Sequence, residues 1–172
     1  MRKGIAGFAL LFVFFLLQST IASHISINNI APNLILILVA SFGFMFGEQE
    51  GMVIGFFGGL LLDVFFGTVI GVYALFYLFI GYLNGKFCRL FYPEEFLLPG
   101  TLIMMSDFLL GLMNYVFLFL LRGRIAFPFY LLHIIVPEVI YTLVVSIAFY
   151  PLLLWIAKRI EKKNNRSKRK FV

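Results

Sequence analysis

Charge is missing from this chain in long unbroken blocks, and that spacing restricts the fold more than any other feature. No charged residue lies between Lys3 and Glu48, and only Asp63 lies between Glu50 and Lys86. Asp107 stands alone between Glu95 and Arg122, and Glu138 alone between Arg124 and Lys158. A helix needs roughly 20 apolar residues to cross a hydrocarbon core of about 30 Å, so each block holds one crossing or two. With 62% hydrophobic and 13% charged residues, the chain lies outside the range of soluble domains. It reads as an all-α integral membrane protein.

Six spans fit the blocks, approximately Gly4 to Ala22, Asn33 to Phe46, Gly51 to Phe66, Val69 to Gly85, Phe96 to Leu121 and Phe129 to Ala157. Spans two to four are short, so a tilted or re-entrant third segment stays open. Residues 1–157 form the transmembrane helical domain and residues 158–172 a basic tail. Cytoplasmic flanks collect lysine and arginine. Six spans put twelve basic residues on the side of Arg2, Lys3, Lys86, Arg89 and the tail, against Arg122 and Arg124 opposite, so both termini are expected in the cytoplasm. The tail then needs no nucleic acid to explain it, because anionic headgroups attract such segments.

The opening MRK and apolar run resemble a signal peptide, but no soluble exported domain follows, and the segment is read as a retained span. Cys88 is the single cysteine, so an internal disulfide is excluded. No metal-ligand spacing, nucleotide loop or nucleophile motif occurs. An enzyme and a bound cofactor are therefore not expected.

Inside the spans the polar residues follow a pattern. Gly51, Gly55, Gly59, Asp63, Gly67 and Gly71 recur at intervals of four. Small residues at this spacing let helices approach closely in lipid, which makes span three the expected central helix. Gly67 and Gly71 drift off the stripe and are assigned to the turn into span four as well as to the packing set. Asp63 is costly near mid-span, roughly 2.5 to 3.5 kcal/mol on insertion scales. It must face protein, either protonated and hydrogen-bonded or accepting bonds from a helix end or polar side chain. Asp107, Gly111 and Asn114 share one face of span five. Span six carries His133, Pro137, Glu138 and Tyr141, with the proline expected to kink it. Asp63, Asp107, Asn114 and Glu138 are polar pins between spans on one reading, and the three carboxyls line a proton or solute pathway on another. The pin is favoured because the expected depths of the three differ.

The chain resembles the MreD family of rod shape-determining membrane proteins. The resemblance rests on the opening span, on APNLILILVASFGFMFG with Pro32 and Asn33, on GFFGGLLLDVFFGTVIGVYALFYLFIGYL from Gly55 to Leu83, and on VPEVIYTLVVSIAFYPLLLWIAKRI before the basic tail. Two departures stand out: the acidic GEQEG between spans two and three, and Thr142 where many relatives carry asparagine. The resemblance implies a compact six-helix bundle, similar in fold to substrate-binding subunits of energy-coupling-factor transporters. It also implies a non-enzymatic role in the bacterial inner membrane, scaffolding side-wall peptidoglycan synthesis with MreC and, through it, RodA, its transpeptidase and MreB. The alternative is a small-molecule binding or transport subunit. Partner contact is expected at the loop Thr20 to Asn33, with His24, Asn28 and Asn29, and at the loop with Arg122 and Arg124. Phe12, Phe14, Phe15, Phe117 and Phe119 are assigned to lipid or to the helix of MreC.

Overall fold

A computed structural model describes residues 2–22, 30–67, 69–90, 97–119 and 127–168, and these are built of helices without strands. α1 (Arg2–Leu17) continues into a π-helical turn, Gln18–Ala22. α2 (Leu34–Phe46), α3 (Glu48–Phe66) and α4 (Val72–Lys86) follow. α5 (Leu97–Asn114) also ends in a π turn, Tyr115–Phe119. The short α6 (Phe127–Tyr130) runs through a third π turn, Leu131–Ile135, into the long α7 (Val136–Lys168). Six rods result among the described residues, two in each of the first two charge-poor blocks and one in each of the last two. The segments Glu48–Phe66, Leu97–Phe117 and Phe127–Ile160 are long and apolar enough to cross a membrane, while Gly4–Thr20 and Leu34–Phe46 are apolar but shorter. α3 is one continuous helix.

The centre of the bundle is α2, not the glycine-rich α3. Every residue from Leu34 to Met45 is buried, and α2 touches α1, α3, α4, α5 and α7. α3 instead buries only one face and exposes Val53, Phe56, Phe57, Val64, Phe65 and Phe66. At 13 residues, α2 is about 20 Å long by the helical rise, well short of a bilayer core. Its ends therefore lie within the bundle, where their unpaired backbone groups need protein partners.

The acidic stretch read as a loop is hardly one. Gly47 alone separates α2 from α3, at φ +104°, and Glu48 and Glu50 sit in the first turn of α3. Carboxylates there complement the positive end of the helix dipole, which accounts for acidic residues at this corner.

Aromatic placement also departs from expectation. Phe12 and Phe117 are exposed, but Phe14 and Phe15 are buried in the core. Phe14 meets Phe149 edge-on at 5.5 Å and Phe15 lies 5.0 Å from Phe65. The ring of Phe119 and the loop residues His24, Asn28, Asn29, Arg122 and Arg124 lie outside the described residues. Near Pro137 the helix does not break. The missing N–H is accommodated by the π turn just before it, where Val136 N–H donates to the Leu131 carbonyl.

Candidate functional site

Close approach of two backbones is the first element of the site. α3 and α4 run antiparallel, and each step of four along α3 meets a step of four back along α4. A Cβ at Gly51 would strike the Gly81 carbonyl, one at Gly55 the Tyr77 carbonyl, and one at Gly59 the Tyr73 carbonyl, each closer than 3.0 Å. From the other side, Gly81 meets Gly51, and Gly85 meets Gly47 and Glu48. Gly67 and Gly71 are not part of this contact. Gly67 caps the end of α3. Gly71 has open space around it but sits at φ +103°, a left-handed conformation that glycine adopts without steric penalty.

This turn presents the start of α4 to Asp63. The carboxylate is 1% exposed, and three backbone groups donate to it: Gly71 N–H and Ala74 N–H to Oδ2, both at 2.9 Å, and Tyr73 N–H to Oδ1 at 3.0 Å. Gly71, the N-cap residue of α4, supplies no side-chain cap of its own. The first N–H groups of a helix have no intrahelical partner, and here a neighbouring helix supplies one. The negative group also lies at the positive end of the α4 dipole.

The start of α2 is capped in the same manner. Asn33 Oδ1 accepts from Leu36 N–H at 3.0 Å and from the Tyr77 hydroxyl at 2.8 Å. Gln18 Oε1 accepts from Leu34 N–H at 2.7 Å, while Gln18 Nε2 donates to the Pro32 carbonyl at 3.2 Å. Thr142 Oγ1, fully buried, accepts from Asn33 N–H at 3.1 Å. At the opposite end of the bundle, Asn84 Nδ2 donates to Ser106 Oγ at 2.7 Å and ties α4 to α5.

Beside both caps, where α1, α3 and α5 finish and α2, α4 and α7 begin, lies a half-open cavity of about 280 Å³. Gln18, Asn33, Tyr73 and Tyr77 line it, together with Asn114 of α5 and Glu138 of α7. Leu62, Phe66 and Leu110 supply apolar surface. Asp107, 2% exposed, faces the Thr142 hydroxyl, yet neither of its oxygens reaches hydrogen-bond geometry among the described residues. Glu138 is its electrostatic neighbour, and Tyr73 lies within the fields of both Glu138 and Asp63. The three carboxyls are thus linked pairwise, Asp107 to Glu138 directly and Glu138 to Asp63 through Tyr73. No three His, Cys, Asp or Glu residues among those described form a group able to hold a metal ion.

A family model described as rod shape-determining protein MreD matches residues 1–160. The chain belongs to the MreD family. It is a cell-shape-determining membrane protein, from a family associated with the cell-shape machinery. No curated protein and no solved structure matches the chain. Within the MreD family resemblance, Thr142 stands where asparagine was expected. Its hydroxyl still provides the acceptor that the Asn33 backbone uses.

Several functional residues escaped the sequence reading. Gly81 and Gly85 carry the same four-residue spacing as the α3 ladder, so that signal was available. Asn33 carried a local signal too, a polar residue directly before an apolar run from whose Leu36 N–H it accepts, whereas Gln18 and Tyr77 offered none beyond their polarity, because their partners come from other segments.

Proposed function

We propose that this chain is a non-enzymatic subunit of the bacterial elongation complex, resident in the inner membrane with both termini cytoplasmic. It holds an MreC-like bitopic protein and, through it, connects to RodA, its transpeptidase and MreB. One observation supports this reading above the others: Asp63, and with it Asn33, Gln18 and Thr142, are spent on holding the starts of α4 and α2 inside the bundle. That use fixes one rigid arrangement, which suits a membrane platform. The exposed apolar faces of α3 and α1 give a bitopic partner's helix a surface of matching chemistry. Residues 1–157 are the platform, and the basic residues of 158–172 rest on anionic headgroups.

Light crosslinking in cells followed by purification in detergent tests the proposal. A stoichiometric bitopic partner carrying a soluble domain on the side opposite the tail is the expected result. Recovery of the chain without such a partner, at normal membrane abundance, refutes it.

A further inference from the structure

The cavity beside the two helix caps has a donor and acceptor balance that selects a ligand. Gln18 is already committed at both its oxygen and its nitrogen. Asn33 Oδ1 and the Tyr77 hydroxyl bond to each other. The lining groups still available are the Glu138 carboxyl, the Tyr73 hydroxyl and Asn114 Oδ1, which is enclosed and without a hydrogen-bond partner among the described residues. A carboxylate and an amide oxygen only accept. Behind Glu138 stands a second carboxyl, Asp107, almost wholly buried, which faces the Thr142 hydroxyl but reaches hydrogen-bond geometry with no group among the described residues. Among the described residues no lysine or arginine lines the cavity. A buried acceptor left unpaired is costly, so a group bringing hydrogen-bond donors and positive charge relieves both faults at once. Aromatic walls favour a cation further.

We propose that this cavity binds a small amine, a single ammonium group on a short apolar stem. The ammonium lies between Glu138 and Asn114 Oδ1, and the stem lies against Leu62, Phe66 and Leu110. The volume, just below the range of about 300–1,000 Å³ usual for ligand pockets, suits a fragment-sized molecule. Binding here goes beyond the platform role, which needs no ligand.

The test uses the full chain in detergent with three probes of equal stem length: n-butylammonium, n-butanol and butyrate. Thermal unfolding is followed during titration, with saturation-transfer NMR to detect direct contact. Butylammonium should raise the melting midpoint saturably, whereas butanol and butyrate should not. Glu138→Gln should weaken the apparent affinity for butylammonium at least tenfold. Asn114→Leu, which both removes an acceptor and fills space, should abolish saturation and gives a second reading if the first variant does not fold. An equal response to all three probes overturns the proposal, as does unaltered butylammonium binding in both variants. So does silence to butylammonium combined with loss of a co-purifying protein in Glu138→Gln, which would assign the cavity to a partner's basic side chain.

Discussion

Replacing Asp63 by leucine leaves three N–H groups of α4 facing apolar surface: those of Gly71, Tyr73 and Ala74. A buried donor deprived of its acceptor costs about 1 to 3 kcal/mol; Ala74 N–H is buried while the Gly71 and Tyr73 bonds are part-buried, so the loss starts at about 1 to 3 kcal/mol and is at most roughly 9 kcal/mol if no other acceptor moves in. Total stabilities of about 5 to 15 kcal/mol are usual. Asp63→Leu is therefore expected to undo the α3–α4 hairpin and to cut membrane abundance at least tenfold. Asparagine differs. Its oxygen can take the Oδ2 position, which serves Gly71 and Ala74, while its amide turns toward Tyr73 and loses one bond. Asp63→Asn should retain abundance within a few-fold and melt several degrees lower. The assay compares both variants for membrane abundance, for melting in detergent and for restoration of rod shape in cells that lack the chain. Asp63→Leu with unchanged abundance and melting would refute the capping argument. Loss of shape in both variants at full abundance would show that the carboxylate has a role beyond the cap.

Further outcomes follow from the same geometry. Gly55→Leu should lower the melting midpoint sharply because its Cβ meets the Tyr77 carbonyl, whereas Gly4→Ala, with nothing within 4 Å, should leave it unchanged. Phe14→Ala should destabilise by about 3 to 5 kcal/mol as a buried aromatic truncation, and Phe12→Ala, on the exposed face, by far less; chemical or thermal melts decide. Thr142→Val removes the acceptor of Asn33 N–H and should lower the midpoint, while Thr142→Asn should restore part of it. Reporter fusions after Val172 and between Arg122 and Phe127 should report opposite sides of the membrane, and a shared side overturns the six-span arrangement.

The six rods were legible because charge is excluded from lipid so strongly that its spacing, divided by the length of one crossing, marks the spans. Which rod lies at the centre was not. In a lipid environment, inside and outside are both apolar, so Leu34 to Met45 and the outer face of α3 look alike in composition. The ladder on α3 drew attention because its spacing is local to one helix. Its counterpart at Gly81 and Gly85 needed only the same arithmetic. Asp63 showed that a polar partner must exist, but that partner is the main chain at the start of α4, and a backbone N–H has no letter in the sequence. Differing depths are expected of Asp107 and Glu138 from their places within spans five and six. Packing puts Glu138 within the field of Asp107, and both act on Tyr77.

The α3–α4 contact is made of glycine Cα atoms against carbonyls of the facing strand of helix. An interface of that kind places its demands on very few letters. Apart from Asp63 and the buried Ile54 and Gly58, the outward residues of α3, including Val53, Phe56, Phe57 and Val64, can drift under selection for a bilayer of different thickness or a differently shaped neighbour while the hairpin itself stays intact. Evolution can thus retune the outer surface of this hairpin separately from the main-chain joint that holds it.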